Sequence, residues 1–253
     1  MNAPIPPKLS SQVLKELRLE IATGQRPLGT KMPTEIELVK RFGVSRPTIR
    51  EAMRVLEAEG FVITSRGLRF GATVSRPTGA MAAHLMAMML GQQGATVGDV
   101  YTARIAIDPY AARLLAESGS ADVVRKLTEL VDVEREAVED PDAWGVIVAR
   151  FHKAVTELCG NCTLGIIGLQ LYEIIESQIS VEMRHGTDAR ERQHLGLVDN
   201  THARLIQFVA AGDGDAAEKL WREHLKAARP WLNHTSTLAI DDILEFGGGT
   251  HSG

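Results

Sequence analysis

Apolar residues recur at helical spacing over most of this chain. From residue 97 onward the pattern is that of one amphipathic helix after another, separated by turn-forming groups such as Gly212-Asp213-Gly214. The predicted helical spans are 97–118, 120–138, 141–159, 163–185, 191–211 and 214–231. We therefore predict a mainly α protein whose C-terminal part is an all-helical antiparallel bundle.

The N-terminal third has shorter helices, followed by a β pattern. A first helix is predicted over residues 11–23, a capping box opens a second helix at Thr34, and Ser45 is a natural N-cap for a third. Residues 61–64 and 72–74 are β-prone and flank a loop rich in Gly and Arg. Two helices joined by a short Gly-containing turn and followed by a hairpin predict a winged helix-turn-helix.

The charge is divided unevenly between these two parts. Residues 1–78 hold 13 Lys and Arg against 7 Asp and Glu, a net charge of +6, which leaves 15 against 25, or −10, for residues 79–253. A basic module can be drawn to phosphate, although a basic surface on a protein-binding module would have the same composition. The expected organisation is residues 1–78 as a winged helix-turn-helix DNA-binding domain, 79–95 as a connector, 96–233 as a helical domain and 234–253 as a flexible tail.

The third helix carries a basic face opposite its apolar stripe. Arg46, Arg50 and Arg54 recur every four residues, and a recognition helix needs guanidinium groups placed in this way to reach bases and phosphates. The alternative is an ordinary solvated charged face. In the predicted wing, Arg66 is charged and Gly67 allows the backbone to approach a sugar-phosphate chain.

Residues 9–76 resemble the DNA-binding domain of the GntR family of regulators. The matching segments are Gly29-Thr30-Lys31-Met32-Pro33, Thr34-Glu35, Gly43-Val44-Ser45-Arg46, Arg50-Glu51-Ala52 and Leu56-Glu57-Ala58-Glu59-Gly60. The resemblance implies that double-stranded operator DNA is contacted by Ser45, Arg46, Thr48, Arg50, Arg66 and Gly67. Many relatives have Arg where this chain has Ile36, so one expected DNA contact is missing.

Three histidines in the C-terminal part are placed on predicted helices in a way that can bring them together. His202 and His224 lie at equal distances from the centre of the Gly212-Asp213-Gly214 turn, which puts them at equal heights in a helical hairpin. His152 lies on the apolar face of a third helix. Three inward imidazoles suit a transition metal, but histidines on apolar faces are also common as hydrogen-bonded core residues.

Three segments around these histidines resemble the FCD ligand-binding domain of the FadR subgroup of GntR regulators: Arg150-Phe151-His152-Lys153-Ala154, Thr201-His202-Ala203-Arg204-Leu205-Ile206 and Trp221-Arg222-Glu223-His224-Leu225. The resemblance implies that His152, His202 and His224 are metal ligands, with zinc or nickel expected. Metal-binding relatives have an Asp one turn before the first histidine, where this chain has Val148. Asp108 is the candidate substitute ligand, the alternatives being a three-histidine site completed by water and effector, or loss of the metal.

By the same resemblance, Arg104 and Asp108 line the effector cavity, although their spacing also fits a simple helix salt bridge. We expect a homodimeric, ligand-responsive transcription regulator, a repressor by preference, whose helical domain binds a small organic acid, in part through the metal. The rival interpretations are a helical domain that only dimerises, without metal, and a metalloenzyme, for which the sequence shows no evident general base. No membrane span or signal peptide is evident, so a cytoplasmic location is expected.

Overall fold

The structure is a computed structural model that describes residues 9–64, 71–77, 79–137, 141–184 and 200–228. The chain divides into two compact units, one ending at Met81 and the other beginning at Ala82. None of the helices among the described residues is long and apolar enough to cross a membrane.

The first unit contains three helices and a two-stranded sheet. These elements are α1 (Leu9–Ala22), α2 (Glu35–Phe42), α3 (Arg46–Ala58), β1 (Val62–Thr64) and β2 (Ala72–Val74). The strands are antiparallel, with Val62 opposite Val74 and Thr64 opposite Ala72. The winged helix-turn-helix fold expected from the sequence is confirmed.

The cap and turn residues explain why α2 and α3 lie where they do. Thr34 and Glu37 form the predicted reciprocal capping box, so α2 starts with its free amides satisfied. Gly43 ends the helix in the left-handed conformation, with φ of 65°, which a residue without Cβ adopts at little cost. Ser45 then caps α3, whose buried face packs Ile49, Leu56 and neighbouring apolar residues against α1 and the sheet.

The segment before α2 also joins the sheet, which the sequence pattern did not predict. Lys31 forms a β-bridge with Thr73, and the Met32 amide donates to the Ala72 carbonyl at 2.8 Å. The turn ahead of the helix-turn-helix is thereby tied to the base of the wing.

The elements of the second unit, within the residues that the structure describes, are helices joined by short turns. Its helices are α4 (Gly79–Gln92), whose first residues up to Met81 belong to the first unit, α5 (Val97–Ser118), α6 (Ala121–Glu136), α7 (Pro141–Glu157), α8 (Cys162–Arg184), α9 (Thr201–Ala211) and α10 (Gly214–Ala228). The segment expected as a connector is mostly α4, which buries Ala83 and Ala87 in the core of this unit. Residues 185–199 of the predicted spans, and the expected tail, lie outside the described residues.

The helices that carry the predicted ligands contribute large side chains to the core of the second unit. Phe151 of α7, Leu205 of α9 and Trp221 of α10 are all almost fully buried in it. Gly212 turns α9 into α10 with φ of 72°, and its amide bonds back to the carbonyls of Phe208 and Val209. This turn sets α10 beside α9, with His202 and His224 in the same layer of the unit.

Candidate functional site

The recognition helix starts with two hydroxyl side chains that hold each other. Ser45 Oγ accepts from the Thr48 backbone amide at 3.4 Å, and the two side-chain oxygens lie 2.8 Å apart. Both are residues expected to contact DNA. The positive dipole end of the helix lies beside them and favours a phosphate group, although Pro47 has no amide hydrogen and the Thr48 amide is engaged by Ser45.

The three arginines of α3 are exposed, but they differ in their partners. Arg50 Nε donates to Glu35 Oε1 at 2.8 Å, and this hydrogen bond raises the pKa of Arg50. Arg46 and Arg54 make no ion pair with any residue in the described part of the chain. The acidic partner of Arg50 lies on α2, so the spacing of charged residues along α3 does not predict it. Arg66 and Gly67 of the wing lie outside the described residues.

In the second unit, the structure brings the three predicted histidines together. His152 Nε2 lies 3.3 Å from His202 Nε2 and 3.2 Å from His224 Nε2. The metal-ligating atoms of all three residues lie within 4.8 Å of one another. Their side chains reach this point from α7, α9 and α10, and His202 is buried while the other two are half-buried.

Two of the three separations between these nitrogens suit a shared metal ion. Three imidazole nitrogens that bind one ion at 2.0–2.1 Å lie about 2.9–3.4 Å apart for octahedral to tetrahedral angles. The separations of His152 from His202 and from His224 fall in that range, and the one between His202 and His224 lies within 4.8 Å. Burial first, and then the positive charges that His224, His202 and Arg104 would carry, hold the pKa of His152 well below its usual value. A neutral imidazole is the form that binds a metal.

His202 has a carboxylate partner that sequence reasoning missed. Glu134 of α6 lies with Oε2 2.7 Å from His202 Nδ1, on the side of the ring away from the other histidines. The ring also stacks on Phe151, with centroids 4.1 Å apart and planes inclined by 14°. No spacing along the chain relates Glu134 to His202, because the two residues meet only through the packing of α6 against α9.

Asp108 does not belong to the group of close ligand atoms, which consists of the three histidines. Its Oδ2 instead accepts from Arg104 Nε at 2.8 Å and lies 2.7 Å from Arg104 Nη2. The carboxylate is thus engaged by the guanidinium one helical turn away. Val148, at the position where metal-binding relatives are expected to have Asp, is half-buried and offers no ligand atom.

Arg104 is a buried cation next to the histidine cluster. Its Nη2 lies 3.5 Å from His152 Nδ1, and its guanidinium lies over the rings of Tyr172 and Tyr101, 4.7 and 5.7 Å from their centroids. Burial alone would lower the pKa of Arg104, but Asp108 and the two tyrosines raise it above its ordinary value. Burial raises the pKa of Tyr101 to about 12, so this hydroxyl stays protonated and donates to the Leu225 carbonyl at 2.9 Å.

Trp221 forms one wall of the histidine cluster. Its ring centroid lies 4.7 Å from that of His152 and 5.0 Å from that of His224. The sequence placed Trp221 near His224 on the same helix, but its contact with His152 arises from helix packing. The cluster therefore has an aromatic wall on one side and a buried guanidinium on another.

The two units match separate family models. The model of the bacterial regulatory proteins of the gntR family matches residues 9–71, and the FCD domain model matches residues 99–227. The chain is 27% identical to the HTH-type transcriptional repressor NanR of Cronobacter sakazakii, over 87% of this chain and 84% of the relative. It is 26% identical to the protein of the same name from Salmonella schwarzengrund, over 87% and 82%.

Among solved structures, the Streptococcus agalactiae GntR protein has the same fold. The two superpose with a TM-score of 0.65 at 23% identity, covering 87% of this chain and 99% of the other. A winged helix-turn-helix unit joined to a separate helical unit defines a DNA-binding transcription regulator, not an enzyme. The chain belongs to the GntR family of bacterial regulatory proteins, and its second unit is an FCD domain.

Proposed function

We propose that this protein is a homodimeric transcriptional repressor whose DNA binding is controlled by a small carboxylic acid bound in the FCD domain. The single observation that carries this proposal is the convergence of three imidazole Nε2 atoms beside a buried guanidinium. The relatives named as repressors support the regulatory outcome. On the DNA-binding side, Ser45, Arg46, Thr48 and Arg50, with Arg66 and Gly67 of the wing, are the proposed operator contacts.

His152, His202 and His224 would hold a divalent transition metal, zinc or nickel. When bound, such an ion supplies a Lewis acid with open coordination positions that can accept a carboxylate oxygen. Arg104 adds a positive charge on the side of His152 away from the other histidines, and the two tyrosine faces keep it there. Asp108 fixes Arg104, so its proposed role is to position the effector-binding cation and not to bind the metal.

The effector can change DNA affinity only if it binds the DNA-competent and DNA-incompetent arrangements with different affinities. The test therefore measures three quantities on purified protein: metal content by mass spectrometry, affinity for a selected operator by fluorescence anisotropy, and the change in that affinity with a panel of carboxylic acids. We expect an acid that weakens operator binding by the wild type but not by Arg104→Lys or His152→Ala. Metal-free wild-type protein that cannot be loaded, together with no response to any acid, would contradict the proposal.

A second candidate is an FCD domain that only dimerises and uses the histidines as core residues. The observation in its favour is the stacking of His202 on Phe151, which packs the imidazole as an ordinary buried ring. The two candidates differ in the effect of His224→Ala. A core role predicts reduced stability of the metal-free protein with no change in metal content, whereas a ligand role predicts loss of the metal.

A further inference from the structure

Glu134 brings a carboxylate from α6 to the outer edge of the His202 ring. Its Oε2 lies 2.7 Å from His202 Nδ1, a short distance for a charge-assisted hydrogen bond. Both side chains are largely shielded from solvent, with exposed fractions of 16% for Glu134 and 9% for His202. Such a pair is weakly screened by water, so it constrains the ring strongly.

The direction of this hydrogen bond determines which nitrogen of His202 can bind a metal. An ionised carboxylate only accepts hydrogen bonds, so His202 Nδ1 carries the proton. In the neutral ring the lone pair is then on Nε2, the atom that lies 3.3 Å from His152 Nε2. Glu134 thereby selects the tautomer, and the Phe151 ring fixes the plane of the imidazole.

Glu134 also supplies negative charge where the cluster otherwise has little. The carboxylate of Asp108 is engaged by Arg104, and Val148 contributes none. A divalent ion beside the buried Arg104 would repel the guanidinium, and a carboxylate bonded to one ligand offsets that cost. Carboxylates placed behind metal-bound histidines commonly raise the basicity of the ligand in this way.

We infer that Glu134 is a positioning residue for the metal centre: it holds His202 with Nε2 directed at the cluster and supplies negative charge next to it. The inference rests on the proposed metal-binding function and adds to it a residue outside the three ligands. It differs from a plain buried ion pair, because an ion pair would affect stability alone while a positioning residue also sets the metal affinity.

The test compares Zn²⁺ affinities of full-length variants by competition with a chromophoric chelator. Glu134→Ala is expected to weaken Zn²⁺ binding by about 10–100-fold while a site with all three histidines remains. Glu136→Ala is the matched control, since it removes the same charge from an exposed position on the same helix, and it should leave the affinity unchanged. Glu134→Gln keeps the size of the side chain and should give an intermediate loss of Zn²⁺ affinity. It serves as the test if Glu134→Ala does not fold.

Co²⁺ substitution supplies a readout that a purely structural role would not move. The visible absorption bands of bound Co²⁺ should differ between Glu134→Gln and the wild type, because an uncharged acceptor at Nδ1 makes His202 a weaker ligand. Wild-type affinity and an unchanged Co²⁺ spectrum in both Glu134 variants, with binding abolished by His152→Ala, would overturn the role of Glu134 and leave the proposed metal site intact. Absence of Zn²⁺ binding by the wild type itself would overturn both.

Discussion

Asp108 accepts hydrogen bonds from Arg104 through one carboxylate oxygen only. Arg104 Nε lies 2.8 Å from Asp108 Oδ2 and Arg104 Nη2 lies 2.7 Å from it, while the buried Oδ1 has no hydrogen-bond partner among the residues that the structure describes. The pair is almost fully buried. Arg104 therefore depends on Asp108 for its charge balance and its position next to His152.

Removing Asp108 should be costly because it leaves the guanidinium buried without its anion. We expect Asp108→Ala to lower the free energy of unfolding by about 3–5 kcal/mol, measured by urea denaturation of the metal-free protein. Arg125→Ala, which breaks exposed ion pairs on α6, is the control and should change stability little. Equal effects of the two substitutions would mean that burial of the Arg104 pair does not matter.

Gly168 of α8 allows a close approach to α7, so adding a methyl group there should destabilise the FCD domain. A Cβ at Gly168 would lie 2.2 Å from Thr156 Cγ2. Although Ala ordinarily favours a helix over Gly, we expect Gly168→Ala to cost about 1–3 kcal/mol through overpacking. Thr156→Ser removes the clashing methyl group, so the double variant should recover most of the loss.

The control for this steric effect is Gly98→Ala. Gly98 is also helical, and a Cβ added there would make only an ordinary van der Waals contact, 3.5 Å from Thr96 Oγ1. This substitution should be neutral or stabilise the protein by up to about 1 kcal/mol. The wild type, Gly168→Ala, Thr156→Ser and the double variant form a double-mutant cycle, which chemical denaturation measures. Additive effects of the Gly168 and Thr156 substitutions would contradict the proposed clash.

The stability of the winged helix-turn-helix unit should depend on the ionisation of Glu20. The hydrogen bond from Arg41, followed by that from Arg26, holds the pKa of Glu20 below its usual value of 4.5. Because the folded state binds the proton less tightly than the unfolded state, this contribution is complete above the unfolded pKa and is lost as the pH falls through the folded pKa. Glu20→Gln should therefore be less stable than the wild type at pH 7, and the difference should shrink below about pH 4.5. A difference that is constant with pH would contradict this assignment.

The Glu35–Arg50 ion pair should restrain the recognition helix in the absence of DNA. If Arg50 contacts the operator, it must give up part of its bond to Glu35, so Glu35→Gln should tighten operator binding several-fold at low salt. Fluorescence anisotropy with a fixed operator measures the effect. In an Arg50→Ala background the gain should largely disappear, whereas an unchanged gain there would assign it to general removal of negative charge near DNA.

Trp221 should report metal binding, since its ring lies against His152 and His224. We expect Ni²⁺ to quench the fluorescence of Trp221 in a Trp144→Phe/Trp231→Phe background, with saturation at one ion per chain. His224→Ala should abolish the saturable quenching, and Zn²⁺ added first should block it. Quenching that persists in His224→Ala would place the ion elsewhere.

The local sequence pattern was sufficient to predict most of the secondary structure, including the recognition helix. The capping box at Thr34, the N-cap at Ser45 and the apolar stripe of α3 all depend on residues within a few positions of one another, and such short-range interactions can be read along the chain. The equal distances of His202 and His224 from the Gly212 turn likewise predicted that the two histidines lie close together, because a short turn makes two helices antiparallel.

The sequence by itself determined the mainly α fold, the winged helix-turn-helix and the membership of the GntR family, because these follow from local periodicity and from motifs in register. Only the tertiary structure decided that Glu35 pairs with Arg50, that Glu134 contacts His202 and that Asp108 forms its ion pair with Arg104. Helical spacing determines which side of a helix a residue occupies, but the partner on that side is set by how remote helices pack.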